Sequence, residues 1–165
     1  MRRRHTVDIE AAKEIVRYNP KTGSFRWLRK GKRGSRNMRR QAGTIEQFGY
    51  RRIWILGVNL PAHRLAWAFM TGRWPVDEID HINGKRADNR WCNLREATRA
   101  QNAANQKQHK DITHLKGAVP ICGREDYWTA HLRRERLGSF KTEQEAHAAY
   151  MKRAREVYGE FARAR

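Results

Sequence analysis

Apolar positions along the chain fall into short periodic runs separated by dense polar turns. Ile9, Ala12, Ile15 and Val16 recur on one face after Asp8, which predicts a short helix over residues 8–17 with Asp8 as its cap. Tyr18-Asn19-Pro20-Lys21-Thr22-Gly23 is a cluster of turn formers, and the β-rich Ser24-Phe25-Arg26-Trp27-Leu28 after it suits a strand. Gly49 to Leu56 is the next predicted strand, with Gly57-Val58-Asn59 turning the chain toward Pro61. Pro61 fits the first turn of a helix that stops near Gly72 and buries Leu65, Ala68 and Phe69; His63 either lines the site or packs at the helix start, the second being the favoured reading. Past the polar stretch Asn105 to Lys110 the pattern reads strand, strand, strand, helix: Lys116 to Cys122, Tyr127 to Arg133, Arg136 to Phe140, then Glu143 to Tyr158. Thr142 with Glu145 is a capping-box signature for that helix, and Ala146, Ala149, Tyr150 and Val157 are its expected buried stripe.

Charge changes the picture. The chain has 36 Lys+Arg against 17 Asp+Glu, a formal net charge of +19 over 165 residues, which is the composition of a polyanion binder. Its 39% hydrophobic content and six Trp exclude a disordered tail and predict folded modules. No apolar run approaches the ~20 residues that span a bilayer, and Met1-Arg2-Arg3-Arg4-His5 lacks the apolar segment of a secretion signal, so a soluble intracellular protein is expected. Cys92 and Cys122 are too few for a disulfide framework or a four-cysteine zinc site and are read as reduced thiols. Between Arg26 and Arg52 lie ten Lys/Arg against one acid, Glu46. A solvated face mixes signs; this stretch does not, and Arg36, Arg39, Arg40, Arg51 and Arg52 are expected to meet phosphates.

The segment from Ile79 to Asn102 carries the chemistry. Asn83-Gly84 favours a tight turn, Asn93-Leu94-Arg95 follows a second bend, and Thr98 with Gln101 forms a capping box for a helix containing Asn102, so the local plan is β, β, α. Asp80 and His81 are adjacent, and neighbours in a regular strand point to opposite faces. Both serve one site only where the strand ends or bends. The Asp80 carboxylate and the Asn102 amide oxygen are hard ligands suited to Mg²⁺ or Mn²⁺. His81, with a reference pKa of ~6.5, is placed to take a proton from an attacking water. Asn83, Asn89 and Asn105 are assigned to turns or surface.

Asp80-His81, Asn93 and Asn102 together resemble the HNH nuclease motif, in the version whose last histidine is an asparagine, as in phage and intron-encoded homing endonucleases. The resemblance covers roughly residues 14–106. It implies a ββα-metal site with Asp80 and Asn102 as ligands, His81 as general base and Asn93 bracing the base through its loop. Tyr18 to Gly23, Gly49-Tyr50-Arg51-Arg52 and His63-Arg64-Leu65-Ala66 look like the DNA-contacting lead-in of such proteins. A phage or mobile-element origin and action in the cytoplasm or nucleoid of a bacterial host are further implications.

Trp128-Thr129-Ala130-His131-Leu132, Leu137-Gly138-Ser139-Phe140 and Glu145 to Tyr150 resemble an APETALA2/ethylene-response-factor DNA-binding domain over about residues 113–162. That family packs a three-stranded antiparallel sheet on one helix and reads DNA with the exposed sheet face. Strand alternation puts Trp128, Ala130 and Leu132 inward, leaving Thr129, His131 and Arg133, with Arg136, for the duplex.

The expected protein is α+β: an N-terminal β-rich basic region (1–60), an HNH ββα-metal module with its lead-in helix (61–106), a linker (107–112) and an APETALA2-like domain (113–165). Its expected activity is site-specific, metal-dependent hydrolysis of double-stranded DNA, nicking as a monomer, with no membrane partner and no organic cofactor. The competing expectation is a non-catalytic DNA-binding regulator that retains the nuclease scaffold.

Overall fold

A computed structural model describes residues 7–28, 41–106, 113–122 and 124–164. The basic loop with Arg36, Arg39 and Arg40, and the expected linker 107–112, lie outside the described residues. The chain divides into two compact units, Met1–Ala97 and Thr98–Arg165. The architecture is α+β, with four α-helices and four small antiparallel sheets among the described residues. No helix among them is long and apolar enough to cross a membrane.

In the first unit α1 (Ile9–Lys13) is capped by Asp8, whose carboxylate accepts the Glu10 N–H at 3.2 Å. The expected helix over residues 8–17 ends early. Val16–Asn19 is instead strand β1, paired with β2 (Ser24–Trp27), because a β-branched pair followed by tyrosine favours extended backbone and the hairpin buries Val16 and Phe25 completely. A second sheet contains β3 (Thr44–Ile45), β4 (Arg51–Ile55) and β5 (Val58–Pro61). The turn expected at Gly57 to Asn59 is tighter. Leu56 and Gly57 both take positive φ, 50° and 75°, as a two-residue hairpin requires, so Val58 and Asn59 already belong to β5.

Helix α2 (Ala62–Thr71) starts after Pro61 and ends at Gly72, whose φ of 72° and N–H to the Ala68 carbonyl close the last turn. β6 (Glu78–His81) and β7 (Leu94–Ala97) then pair antiparallel, with Asp80 opposite Arg95. Phe25, Ile53, Ile55, Leu65 and Ile79 form one core with Val16 and Leu94.

The second unit begins with α3 (Arg99–Asn105), whose capping box is complete: Thr98 accepts the Gln101 N–H and Gln101 accepts the Thr98 N–H. Lys116 Nζ donates to the Ala104 and Gln106 carbonyls at 2.7 and 2.8 Å, satisfying the helix's C-terminal end. Strands β8 (Ala118–Ile121), β9 (Arg124–Leu132) and β10 (Glu135–Phe140) form a sheet of order β10-β9-β8, and α4 (Glu143–Tyr158) packs on it. Its buried positions are Ala146, Tyr150, Ala154 and Tyr158 with Met151, an i, i+4 row that leaves Val157 exposed, contrary to the expected stripe. The capping box expected there is half formed. Thr142 accepts the Glu145 N–H, but the Glu145 carboxylate takes the Lys141 N–H. Gly117, at φ +80°, lies so close to α4 that a Cβ would sit 2.1 Å from Tyr150 Cγ.

Candidate active site

β6 ends at His81, where the Gly84 N–H donates to the His81 carbonyl at 2.7 Å. Asp80 is 4% exposed and its Oδ2 accepts Arg95 Nε at 2.9 Å across the β6–β7 pair. His81 is buried on the other side among rings: His63 at 5.1 Å, edge-on, and Tyr50 at 6.1 Å. Tyr50 also lies 5.3 Å from His63, and the Arg86 guanidinium stands 5.1 Å over its ring.

The His81 Nε2 sits 3.2 Å from Asn89 Oδ1. An amide oxygen only accepts, so this contact makes Nε2 the protonated nitrogen and leaves the lone pair on Nδ1. Asn89 is 1% exposed, not a surface turn residue as expected, and its Nδ2 donates to the Ala87 carbonyl at 3.3 Å. Asn105, also expected at the surface, is buried.

Asn93, on a short 3-10 helix (Trp91–Asn93), closes the loop between the two strands. Its Oδ1 accepts the Asn83 N–H at 2.9 Å, its Nδ2 donates to the Asp88 carbonyl at 2.8 Å, and its own carbonyl accepts the Ile82 N–H at 2.9 Å. Asp88 accepts Asn83 Nδ2 and three Arg90 nitrogens, the backbone N–H, Nε and Nη2, and the Arg90 hydrogen bonds hold its carboxyl well below the usual carboxylate range.

The β1–β2 hairpin supports this loop from outside. Tyr18 Oη donates to the Asn89 carbonyl at 2.7 Å, the Trp91 N–H donates to the Pro20 carbonyl at 2.9 Å, and a Cβ on Gly23 would fall 2.4 Å from the Asn89–Arg90 backbone. Burial pushes the Tyr18 phenol up.

Desolvation disfavours the charged forms of His63 and His81. Burial, followed by the neighbouring His81, pushes His63 down to about 3. Burial also lowers His81, against the opposing pulls of the Asn89 hydrogen bond and Asp80. His63 Nδ1 is buried with no hydrogen-bond partner. His63 thus fits both sequence readings, buried at the start of α2 and with its ring against His81. No signal in the one-dimensional pattern joins the two roles; the fold does, by placing α2 beside β6.

Of the expected site residues, the first unit brings together Asp80, His81 and Asn93, while Asn102 lies half-buried on α3 of the second unit. Arg51 and Arg52 lie on β4 and are tied to their own sheet, through the Gly43 and Asn59 carbonyls and Glu46. In the second unit Arg136 is exposed opposite His131, as the alternation predicts. Thr129 is only 8% exposed, with His131 Nε2 3.1 Å from its hydroxyl. Arg133 corrects the strand reading. It sits in the β9–β10 turn at φ 56°, with its guanidinium 5.2 Å over Tyr158 of α4.

Asp80 and the buried His81 thus end β6 of a ββ hairpin whose loop is held by Asn89 and Asn93. Residues 60–104 match the family model of the HNH endonuclease domain. No curated protein and no solved structure matches the chain.

Proposed function

We propose that this protein is a metal-dependent HNH endonuclease of the homing type, hydrolysing phosphodiester bonds in double-stranded DNA. The observation that carries the reading is the oriented His81: buried, adjacent to Asp80, with Nε2 on Asn89 Oδ1. It lies within the stretch that matches the endonuclease model.

The donors fit a hard divalent cation such as Mg²⁺ or Mn²⁺. Asp80 offers a carboxylate and Asn102 an amide oxygen, hard donors of the kind such an ion takes. When bound there, such a cation supplies Lewis-acid polarisation of the scissile phosphate and of the departing 3′ oxygen. His81 Nδ1 takes the proton of the attacking water, Nε2–H stays on Asn89, and Asn93 keeps the loop that holds both in register. His63 and Tyr50 exclude bulk water from the imidazole. The exposed face of β9 and β10, with His131 and Arg136, is assigned to duplex binding in the manner of an APETALA2-like sheet.

The test is a supercoiled plasmid library of random inserts, incubated with protein and Mg²⁺ with or without chelator, the cut ends being sequenced. Metal-dependent nicks at a recurrent sequence, one strand per protein, are expected. Binding without any cleavage would leave a DNA-binding regulator built on a nuclease scaffold.

A further inference from the structure

Arg86 projects from the β6–β7 loop with its side chain held in place, and the mechanism above does not use it. Its Nη1 donates to the Phe48 carbonyl at 3.0 Å and its guanidinium stands 5.1 Å over the Tyr50 ring, so the β3–β4 loop fixes a charged group that is otherwise exposed. Tyr50 also packs beside the two buried histidines, 6.1 Å from His81 and 5.3 Å from His63. The loop's own acid is engaged elsewhere: Asp88 is bound by Arg90 and Asn83, and Arg86 makes no ion pair among the described residues. Its positive charge is near enough to His81 to disfavour the protonated ring. An ordered cation with no carboxylate of its own, next to the proposed base, is arranged for an anion that the substrate brings.

We infer that Arg86 is a further catalytic residue, whose guanidinium donates to a non-bridging oxygen of the scissile phosphate as negative charge develops there. This role rests on the nuclease reading, which supplies the phosphodiester and the attacking water. As the water oxygen bonds to phosphorus and the P–O3′ bond breaks, the water proton passes to His81 Nδ1, and the 3′ oxygen leaves with the bonding electron pair and is protonated from solvent. Arg86 keeps all its protons. Proton transfer leaves His81 cationic near Arg86, and the charge that balances both is the one growing on the phosphoryl oxygens, so the contact strengthens on the way to the transition state. A planar guanidinium matches phosphate oxygens with paired N–H groups, which an ammonium cannot do. The Phe48 carbonyl and the Tyr50 ring hold the group before substrate arrives, sparing the reorganisation that a free side chain would need.

The test is single-turnover cleavage by the full chain of a target duplex recovered from the plasmid library, with duplex affinity in chelator measured in parallel by anisotropy. Arg86→Ala should lower the rate by about 10²–10³-fold, the loss typical of one preorganised donor to a developing oxyanion, while duplex affinity changes far less. Free guanidinium ion, added below the concentrations that unfold the protein, should restore part of that rate. Sulfur in place of one non-bridging oxygen at the scissile phosphate gives two diastereomers, and the one that loses the Arg86 contact should be cleaved slowly by the wild type. That penalty should shrink or vanish in Arg86→Ala, which loss of a mere brace between the two loops would not cause. Arg86→Lys keeps the charge without the paired N–H groups; its rate should fall between the two, and it carries the sulfur comparison if the alanine variant does not fold. Cleavage by Arg86→Ala at the wild-type rate overturns the role of Arg86 and leaves the nuclease reading standing. A slow variant with both sulfur penalties intact overturns it in favour of a loop brace, and one whose affinity falls as much as its rate overturns it in favour of ground-state backbone binding. Wild-type protein that cleaves no member of the library overturns the role of Arg86 and the nuclease reading together.

Discussion

His81 Nε2 lies 3.2 Å from Asn89 Oδ1, and Asn89 is among the most completely buried side chains of the molecule. The contact sets which imidazole nitrogen carries the proton. Replacing Asn89 by Ala frees the ring to adopt the other tautomer. We expect kcat to fall by about 10- to 100-fold with KM nearly constant, against about 10²–10⁴-fold for His81→Ala. Long-range ¹H–¹⁵N spectra should show the Nε2–H tautomer in the wild type and its loss in Asn89→Ala. An unchanged tautomer would show that Asn89 does not orient the ring.

His63 makes stability depend on pH. Its pKa is depressed to about 3 in the folded state from 6.5, so between those values the unfolded chain binds more protons. Its stabilising contribution is full above pH 6.5 and is lost progressively as pH falls toward 3, at up to about 1.4 kcal/mol per pH unit within that window. Urea unfolding at pH 7 and pH 5 should show the loss, and His63→Phe should remove most of the slope.

The buried ion pair between Asp80 and Arg95 gives a third expectation. Arg95→Met removes the guanidinium from a 4% exposed carboxylate, and breaking such a pair costs about 3–5 kcal/mol. A divalent cation at Asp80 would replace part of the lost charge. The variant's melting temperature should therefore rise more with added Mg²⁺ than the wild type's, a comparison made by calorimetry without any activity.

Two glycines are held by close approach. Gly117→Ala drives a methyl into the Tyr150 ring at φ +80° and should destabilise the second unit by about 2–4 kcal/mol. Gly23→Ala pushes on the Asn89–Arg90 backbone at φ +70°, so it should lower activity as well as stability. Circular dichroism melts with single-turnover assays separate the two outcomes.

Local pattern made much of the fold legible. The α4 limits, the Thr98–Gln101 box and the β, β, α plan all follow from periodicity and capping chemistry, which act within a few residues. Residues 8–17 misled because four apolar positions fit a helix, whereas pairing with Ser24–Trp27 and burial against a distant core decided for a strand after Lys13. Asn89 is hidden for the same reason. An asparagine in a turn-rich loop reads as turn chemistry, and only the hairpin packed on that loop buries it against His81. Arg133 was misplaced because β9 stops at Leu132, and turn geometry, not strand alternation, aims its side chain at Tyr158.

In the proposed mechanism His81 abstracts a proton during metal-dependent DNA hydrolysis. The most direct test of this step is single-turnover cleavage of a recovered target duplex by wild type and His81→Ala under saturating Mg²⁺, with duplex binding measured in parallel. We predict 5′-phosphate and 3′-hydroxyl ends from the wild type, and a rate lower by about 10²–10⁴-fold in the variant with equal binding. Cleavage by His81→Ala at the wild-type rate would rule out His81 as the base.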